Sequence, residues 1–479
     1  MSFIIRIIYH TKIIIKWLSL SVDLNIEDMS EKIIAYIYRV ICVLALTAGF
    51  SSCSDIHGDG FQHSDNSSGS RDEHRVVADE SRKVLLLYSA GFNSLSSFLK
   101  EDIADLKSGY LPGSRRNDDV MLVYSHTTSK SGNYSVKTSP ILMRLSSALD
   151  GTVVTDTLVV YEEGTVSSSA EQLNEVLSYI RDEFPARSYG MVFSSHATGY
   201  LPAGYYTNSK DYETSGPSAL RFSTPFGNLR PVPYAAPDYD PSLPLTKSIG
   251  QDQWSVSGAR VSYEMELADF AEAIPMKFDY ILFDACLMGG VEVAYQLRDV
   301  CGKVGFSQAE VLAEGLDYKT LTKHLLQADK PQPEKVCEDY FLQYDSQSGV
   351  HRSATVSIVD CGRMEPLTKV CSDLFAKYAS EIAAVNPSKV QRFYRSGYHW
   401  FYDLESILMV AGVSQEELNA LREAIAECVI YKAATPSFMQ EFDINVFSGF
   451  SMFLPCNGGD RLREFYKTLD WNKATGLVR

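Results

Sequence analysis

The sequence predicts an α/β fold: a predominantly parallel sheet flanked by helices on both faces, with a C-terminal α+β subdomain. Three observations carry that expectation. From Val84 onward, short apolar runs alternate with helical patterns, the signature of strand–helix–strand units. The run Phe278–Asp279–Tyr280–Ile281–Leu282–Phe283–Asp284 is almost continuously apolar, as a strand buried on both faces must be. A second such run, Tyr189–Ser194, follows a helical segment, Ala170–Glu183, that is apolar at Leu173, Val176, Leu177 and Ile180.

Taken in order, the chain opens on a targeting signal. Lys32 and Arg39 precede the apolar run Val40–Ala48, and Phe50–Ser51–Ser52–Cys53 follows. A basic stretch, a short apolar stretch and small residues before a cysteine describe a bacterial lipoprotein signal, and the run is too short to span a membrane. This predicts an N-terminal extension and signal over residues 1–53, with Met29 as the true start. Similarity to the lipobox implies cleavage before Cys53 and its acylation, and hence a lipid-anchored protein of the bacterial cell envelope, periplasmic or at the outer-membrane surface. Residues 54–82 are rich in Ser, Gly, Asp and His and almost free of apolar side chains, which predicts a flexible tether. His57, His63 and His74 are irregularly spaced there and read as solvated linker residues.

The main α/β domain is expected over 83–320, with strands near Val84–Tyr88, Val120–Tyr124, Thr157–Tyr161, Gly190–Ser194, Tyr280–Ala285 and Lys303–Ser307. Residues 201–261 carry prolines at 217, 225, 231, 233, 237, 241 and 244 and no sustained periodicity, which predicts an inserted loop. Beyond residue 321, helices are expected at Glu334–Tyr344, Met364–Ala383 and Gln415–Ala434, with strands at Ala354–Val359 and Gly449–Leu454. These form the C-terminal subdomain, 321–479, packed on the sheet.

Composition narrows the function. The net charge of −16 argues against nucleic acid and against an anionic membrane surface as partners. Nine cysteines show no Cys-x-x-Cys and no zinc spacing, so no metal or other cofactor is expected.

The candidate chemistry lies at two strand ends. Cys286 follows one apolar run and His196 the other, 90 positions apart. Side by side and parallel, the two strands would bring thiol and imidazole together as a Cys–His dyad. His126, at the end of Val120–Tyr124, is the rival base. Asp284 lies two residues before Cys286, on the same side of the strand, where a carboxylate needs a cation or donors. Glu292 reads as a stabiliser of the first turn of the following helix.

Asp284–Ala285–Cys286–Leu287–Met288–Gly289 with Glu292 resembles the Asp-x-Cys-x-Met-Gly-x-x-Glu motif of the clostripain family of cysteine peptidases. Ser195–His196–Ala197–Thr198–Gly199–Tyr200 is similar to its histidine motif. Weaker likenesses cover Val84–Leu95, Ser307–Tyr318 and Phe447–Pro455. The resemblance implies a caspase-like fold and a cysteine endopeptidase cutting after Arg or Lys. It also implies Cys286 as nucleophile, His196 as base, amides near Ala197 and Cys286 for the oxyanion, and Asp284 at the floor of the P1 pocket. Ala197 stands where the family usually has glycine, and Phe92 where it has a turn aspartate. Self-cleavage is expected within 201–261, at Lys210 first and Lys247 second. The expected partners are peptides with a basic P1 residue and the membrane, through the lipid; the protein is expected to be a monomer without a calcium requirement legible in its sequence. The rival reading is a catalytically weak relative acting as a peptide-binding surface lipoprotein.

Overall fold

The computed structural model describes residues 79–479 apart from 116, 132–133, 137, 207–208, 217–221, 225–226, 230, 234–251, 257–258 and 396–399. The expectations for Met29, Cys53, the tether up to residue 78 and Lys247 lie outside the described residues.

Nine strands form the central sheet: β1 (Asp79–Gly91), β2 (Val120–Thr127), β3 (Ile141–Ser147), β4 (Val153–Val160), β5 (Ala186–Ser194), β6 (Phe278–Asp284), β7 (Cys301–Phe306), β8 (Thr355–Asp360) and β9 (Val429–Ala434), in the order β9-β8-β7-β6-β5-β1-β2-β3-β4. The five central strands, β2, β1, β5, β6 and β7, run parallel, and each edge carries two antiparallel strands. The expected mostly parallel sheet is therefore present. Its parallel centre is apolar on both sides because helices cover both faces. The helix α1 spans Ser96–Ser108, and α2 (Ala170–Glu183) starts where Ser169 accepts a hydrogen bond from the Gln172 amide and buries Leu173, Val176, Leu177 and Ile180.

Aromatic rings cross four strands at one level of the ladder. Tyr124, Tyr88, Phe193 and Phe283 are register partners, with centroids 4.4 Å apart for Tyr88–Tyr124, 5.5 Å for Tyr88–Phe193 and 6.0 Å for Phe193–Phe283. Offset and edge-on contacts of this kind add to the burial of each ring. Gly190 sits opposite Tyr280, and its missing side chain makes room for that ring.

Residues 201–261 depart from the expected loop without regular structure. The helix α3 (Ser209–Ser215) is followed by Pro231–Pro233, Asp252–Val256 and Ala259–Tyr263, which pair as a small antiparallel sheet. The backbone donors of such a segment need partners, and hairpin pairing supplies them. The helix α4 (Leu267–Glu272) then leads to β6, and α5 (Val291–Gln296) leaves it. Beyond residue 321 come α6 (Pro333–Asp345), α7 (Glu365–Lys377), α8 (Gln415–Cys428) and α9 (Asp460–Tyr466). This region does more than pack on the sheet, since β8 and β9 extend it. The helix expected over Gln415–Ala434 ends at Cys428, where the chain turns into edge strand β9. Among the described residues no helix is long and apolar enough to cross a membrane.

Candidate active site

Strands β5 and β6 are parallel neighbours, and the last pair of their ladder is Asp284 opposite Ser194. His196 and Cys286 each lie two residues beyond that pair, so they leave the sheet at the same level from adjacent strands. Adjacent strands are about 4.8 Å apart, a spacing that lets an imidazole and a thiol meet. His196 is buried at 3% exposure and Cys286 at 1%.

The loop after β6 is held from several sides. The Val311 amide donates to Cys286 Sγ at 3.1 Å, a donor that favours a thiolate. Leu287 has φ 61°, a left-handed backbone that costs a non-glycine residue about 1–2 kcal/mol. Its amide donates to the Ala309 carbonyl, and the Gly289 amide to the Ser307 carbonyl, at 2.9 and 2.7 Å. The turn at Cys286 is thus strained at Leu287 and clamped by the Ser307–Val311 segment. Glu310 fixes that segment through a two-pronged pair with Arg395, with Nε–Oε2 2.5 Å and Nη2–Oε1 2.8 Å.

In the histidine turn, the left-handed residue is Gly199 (φ 59°); Ala197 is not among the left-handed residues. Alanine therefore stands where the family usually has glycine without meeting a conformation that demands glycine.

Phe283 and Asp284 point to opposite faces of the sheet, and two cavities open accordingly. One is lined by His196, Ala197, Thr198, Glu264, Phe283 and Met288 among others. The second includes Asp284, Val311, Leu316, Cys337 and Tyr340. Asp284 has no exposed surface, and its Oδ2 accepts hydrogen bonds from Tyr318 Oη at 2.6 Å and Ser194 Oγ at 3.2 Å. Both of these donors are hydroxyls, and a cationic side chain reaching Asp284 would have to join or displace them.

His126 is apart from this centre. It ends β2, three strands from β6 and about 14 Å away at the usual strand spacing. Its ring stacks on Phe92, Nδ1 meets Ser167 Oγ at 2.5 Å, and Nε2 meets the Thr138 carbonyl at 3.2 Å. Burial pushes its pKa down to about 4, a poor value for a base at neutral pH. Beside it Asp252, from the inserted segment, accepts from the amides of Ser167 and Ser168, and burial pushes its carboxyl up to about 7. Ser168 also lines the His196 cavity, so this anchor ties the insertion to the cleft.

Lys210 is exposed in the first turn of α3. Three residues on, the Glu213 carboxylate accepts from the amides of Arg461 and Leu462 at the start of α9, at 2.9 and 3.0 Å, and from Tyr205 Oη at 3.1 Å. A peptidase needs its substrate extended, so a cut after Lys210 requires α3 to unwind. Val311 and Tyr318 lie in the Ser307–Tyr318 stretch that resembles the family, but nothing in that likeness shows what they touch: Val311 acts through its backbone, and Tyr318 and Ser194 become neighbours of Asp284 only in the folded chain. Among the described residues no group of three or more His, Cys, Asp or Glu could hold a metal.

Solved structures of other proteins share this fold. A C11 protease from Parabacteroides distasonis, described as an inactive zymogen, is 25% identical, with 83% of this chain and 98% of that one covered at a TM-score of 0.63. A secreted C11 cysteine protease from Bacteroides thetaiotaomicron, solved with an irreversible peptide inhibitor, shares the fold at 23% identity, 83% and 99% coverage and a TM-score of 0.61. A search of curated proteins returned no match. The Clostripain family model matches residues 87–212 and 235–476. By that match, carried over most of its length, the chain belongs to the clostripain family of C11 cysteine proteases.

Proposed function

We propose that this protein is a lipid-anchored endopeptidase that cuts after Arg or Lys through Cys286 and His196. The observation that carries the reading is the β5–β6 register, in which Asp284 faces Ser194 and both candidate residues follow at one level. His196 takes the Cys286 proton, and the thiolate attacks the scissile carbonyl carbon. Amides of Ala197 and Cys286 hold the oxyanion. The imidazolium returns its proton to the leaving amine, and water then hydrolyses the thioester. Asp284, with Tyr318 and Ser194 around it, receives the basic P1 side chain.

The enclosure of Asp284 supports a precursor that rearranges before it works. Self-cleavage within 201–261, favoured at Lys210 and next at Lys247, is the proposed trigger. The segment order ending at Cys53 supports attachment to the cell envelope by lipid. The test is a fluorogenic peptide with arginine at P1, together with mass spectrometry of wild type and Cys286→Ala. Wild type should cleave the peptide and itself, and Cys286→Ala neither. A wild-type chain that alkylates at Cys286 but cuts no basic peptide would favour the peptide-binding relative instead.

A further inference from the structure

Glu292 stands in the first turn of α5, three residues past Gly289, and is 1% exposed. Its carboxylate reaches across the sequence to the C-terminal region. Oε1 accepts hydrogen bonds from the Phe453 amide at 2.9 Å and from Tyr466 Oη at 2.7 Å. Next to it, the Gly289 carbonyl accepts from the Ser451 amide at 2.8 Å. Oε2 has no hydrogen-bond partner among the described residues.

The two groups held by Glu292 belong to an aromatic wedge beneath both catalytic loops. Tyr466 packs on Phe453 with centroids 4.6 Å apart, and Tyr200 meets both rings edge-on, at 5.7 Å from Tyr466 and 6.0 Å from Phe453. Tyr200 lies four residues past His196, and its hydroxyl donates to the Trp400 carbonyl. Between them, Gly199 passes so close to the cysteine loop that a Cβ would stand 2.5 Å from the Leu287 carbonyl oxygen. The histidine turn and the cysteine turn thus touch at Gly199–Leu287 and rest on the same three rings.

A carboxyl in this place is expensive. Burial pushes it up to about 7, and a well-packed apolar side chain would give the fold as much stability or more. What an apolar residue cannot do is fix the amide of Phe453 and the hydroxyl of Tyr466 at once. We infer that Glu292 is a positioning residue, which sets the spacing of His196 and Cys286 by locking the Phe453–Tyr466–Tyr200 wedge under their two loops. This rests on the reading of Cys286 and His196 as the reacting pair.

The experiment compares wild type, Glu292→Ala, Glu292→Gln and Tyr466→Phe in three measurements. These are kcat and KM on the arginine peptide, the pH profile of Cys286 alkylation by iodoacetamide, and thermal unfolding. Glu292→Ala should lower kcat by about 10- to 100-fold with KM little changed. It should also move the alkylation profile to higher pH, because a displaced imidazole stabilises the thiolate less. Glu292→Gln keeps an acceptor oxygen for both donors and should restore most of kcat. Tyr466→Phe should reproduce part of the loss, and combining it with Glu292→Ala should add nothing further. A lowered melting temperature with kcat and alkylation profile unchanged in Glu292→Ala would reduce Glu292 to a structural support. If that variant does not fold, an unchanged profile and kcat in Tyr466→Phe overturns the inference just as well. Wild type that alkylates selectively at Cys286 yet cuts nothing would sink the peptidase reading, while the alkylation profiles would still decide this one.

Discussion

Replacing Asp252 by Asn should make the protein more stable at neutral and alkaline pH, by an amount that grows as pH rises toward about 7 and then levels off. Asp252 is fully enclosed, and burial moves its carboxyl from the ordinary 3.8 to about 7. An acid whose pKa is raised on folding contributes most below its unfolded pKa, and that contribution is lost as pH rises through the folded value. The move from 3.8 to about 7 is worth about 4 kcal/mol at most. His126, 4.0 Å away, is held near 4 and is neutral through nearly all of that range, so it does not offset the carboxylate. Tyr88 and Tyr124, the other titratable groups facing it, are pushed well above their usual range and stay neutral. Asparagine still offers an oxygen to the Ser167 and Ser168 amides. In denaturant titrations in a Cys286→Ala background, the advantage of Asp252→Asn should widen by about 3 kcal/mol between pH 4.5 and 7.5, then stay flat. Parallel stability curves, or an advantage that shrinks as pH rises, would refute the argument.

Three further outcomes are expected. Asp284→Asn should lower kcat/KM for arginine and lysine peptides by about 3 kcal/mol or more while sparing neutral P1 substrates, since a buried charge pair loses one partner; equal loss on both classes would show that the carboxylate supports the strand and not the pocket. His126→Ala should keep its turnover per folded molecule but lose about 1–3 kcal/mol of stability, because the hydroxyl of Ser167 and the Thr138 carbonyl lose their buried partner; abolished turnover in a folded variant would reinstate it as the base. Cys53→Ser should move the protein from the membrane to the soluble fraction on cell fractionation, and retention would point to an uncleaved N-terminal anchor.

What the sequence made legible was the buried centre. β5 and β6 announce themselves because parallel strands covered on both faces have no room for polar side chains, and α2 because its apolar stripe recurs at helical spacing. The edges were harder. Ile141–Ser147 includes Arg144 and pairs on a sheet flank, so its apolar run is broken where β3 forms. Val429–Ala434 continues the residue spacing of α8, and only pairing with β8 makes it a strand. The inserted segment carries prolines that hide its hairpin. At the site, Cys286, His196 and Asp284 stood out by position, whereas Val311, Tyr318 and the partners of Glu292 come from distant parts of the chain. Contacts of that kind leave no local pattern. Glu292 has the sequence position of a helix-end charge, yet its bonds run to residues more than 160 positions away.

The ladder between β5 and β6 has one more consequence. The covalent link between these strands runs entirely through residues 195–277, and a single cut in 201–261 would place His196 on one polypeptide and Cys286 on another. Five register pairs, Tyr280–Gly190 to Asp284–Ser194, would then belong to an interface between two chains. Folding of the uncut protein is a unimolecular event, but refolding of the cut one needs two fragments to find each other, at a rate that falls with dilution. Such an enzyme would be assembled once, before the cut, and its lifetime afterwards would be governed by how slowly it opens.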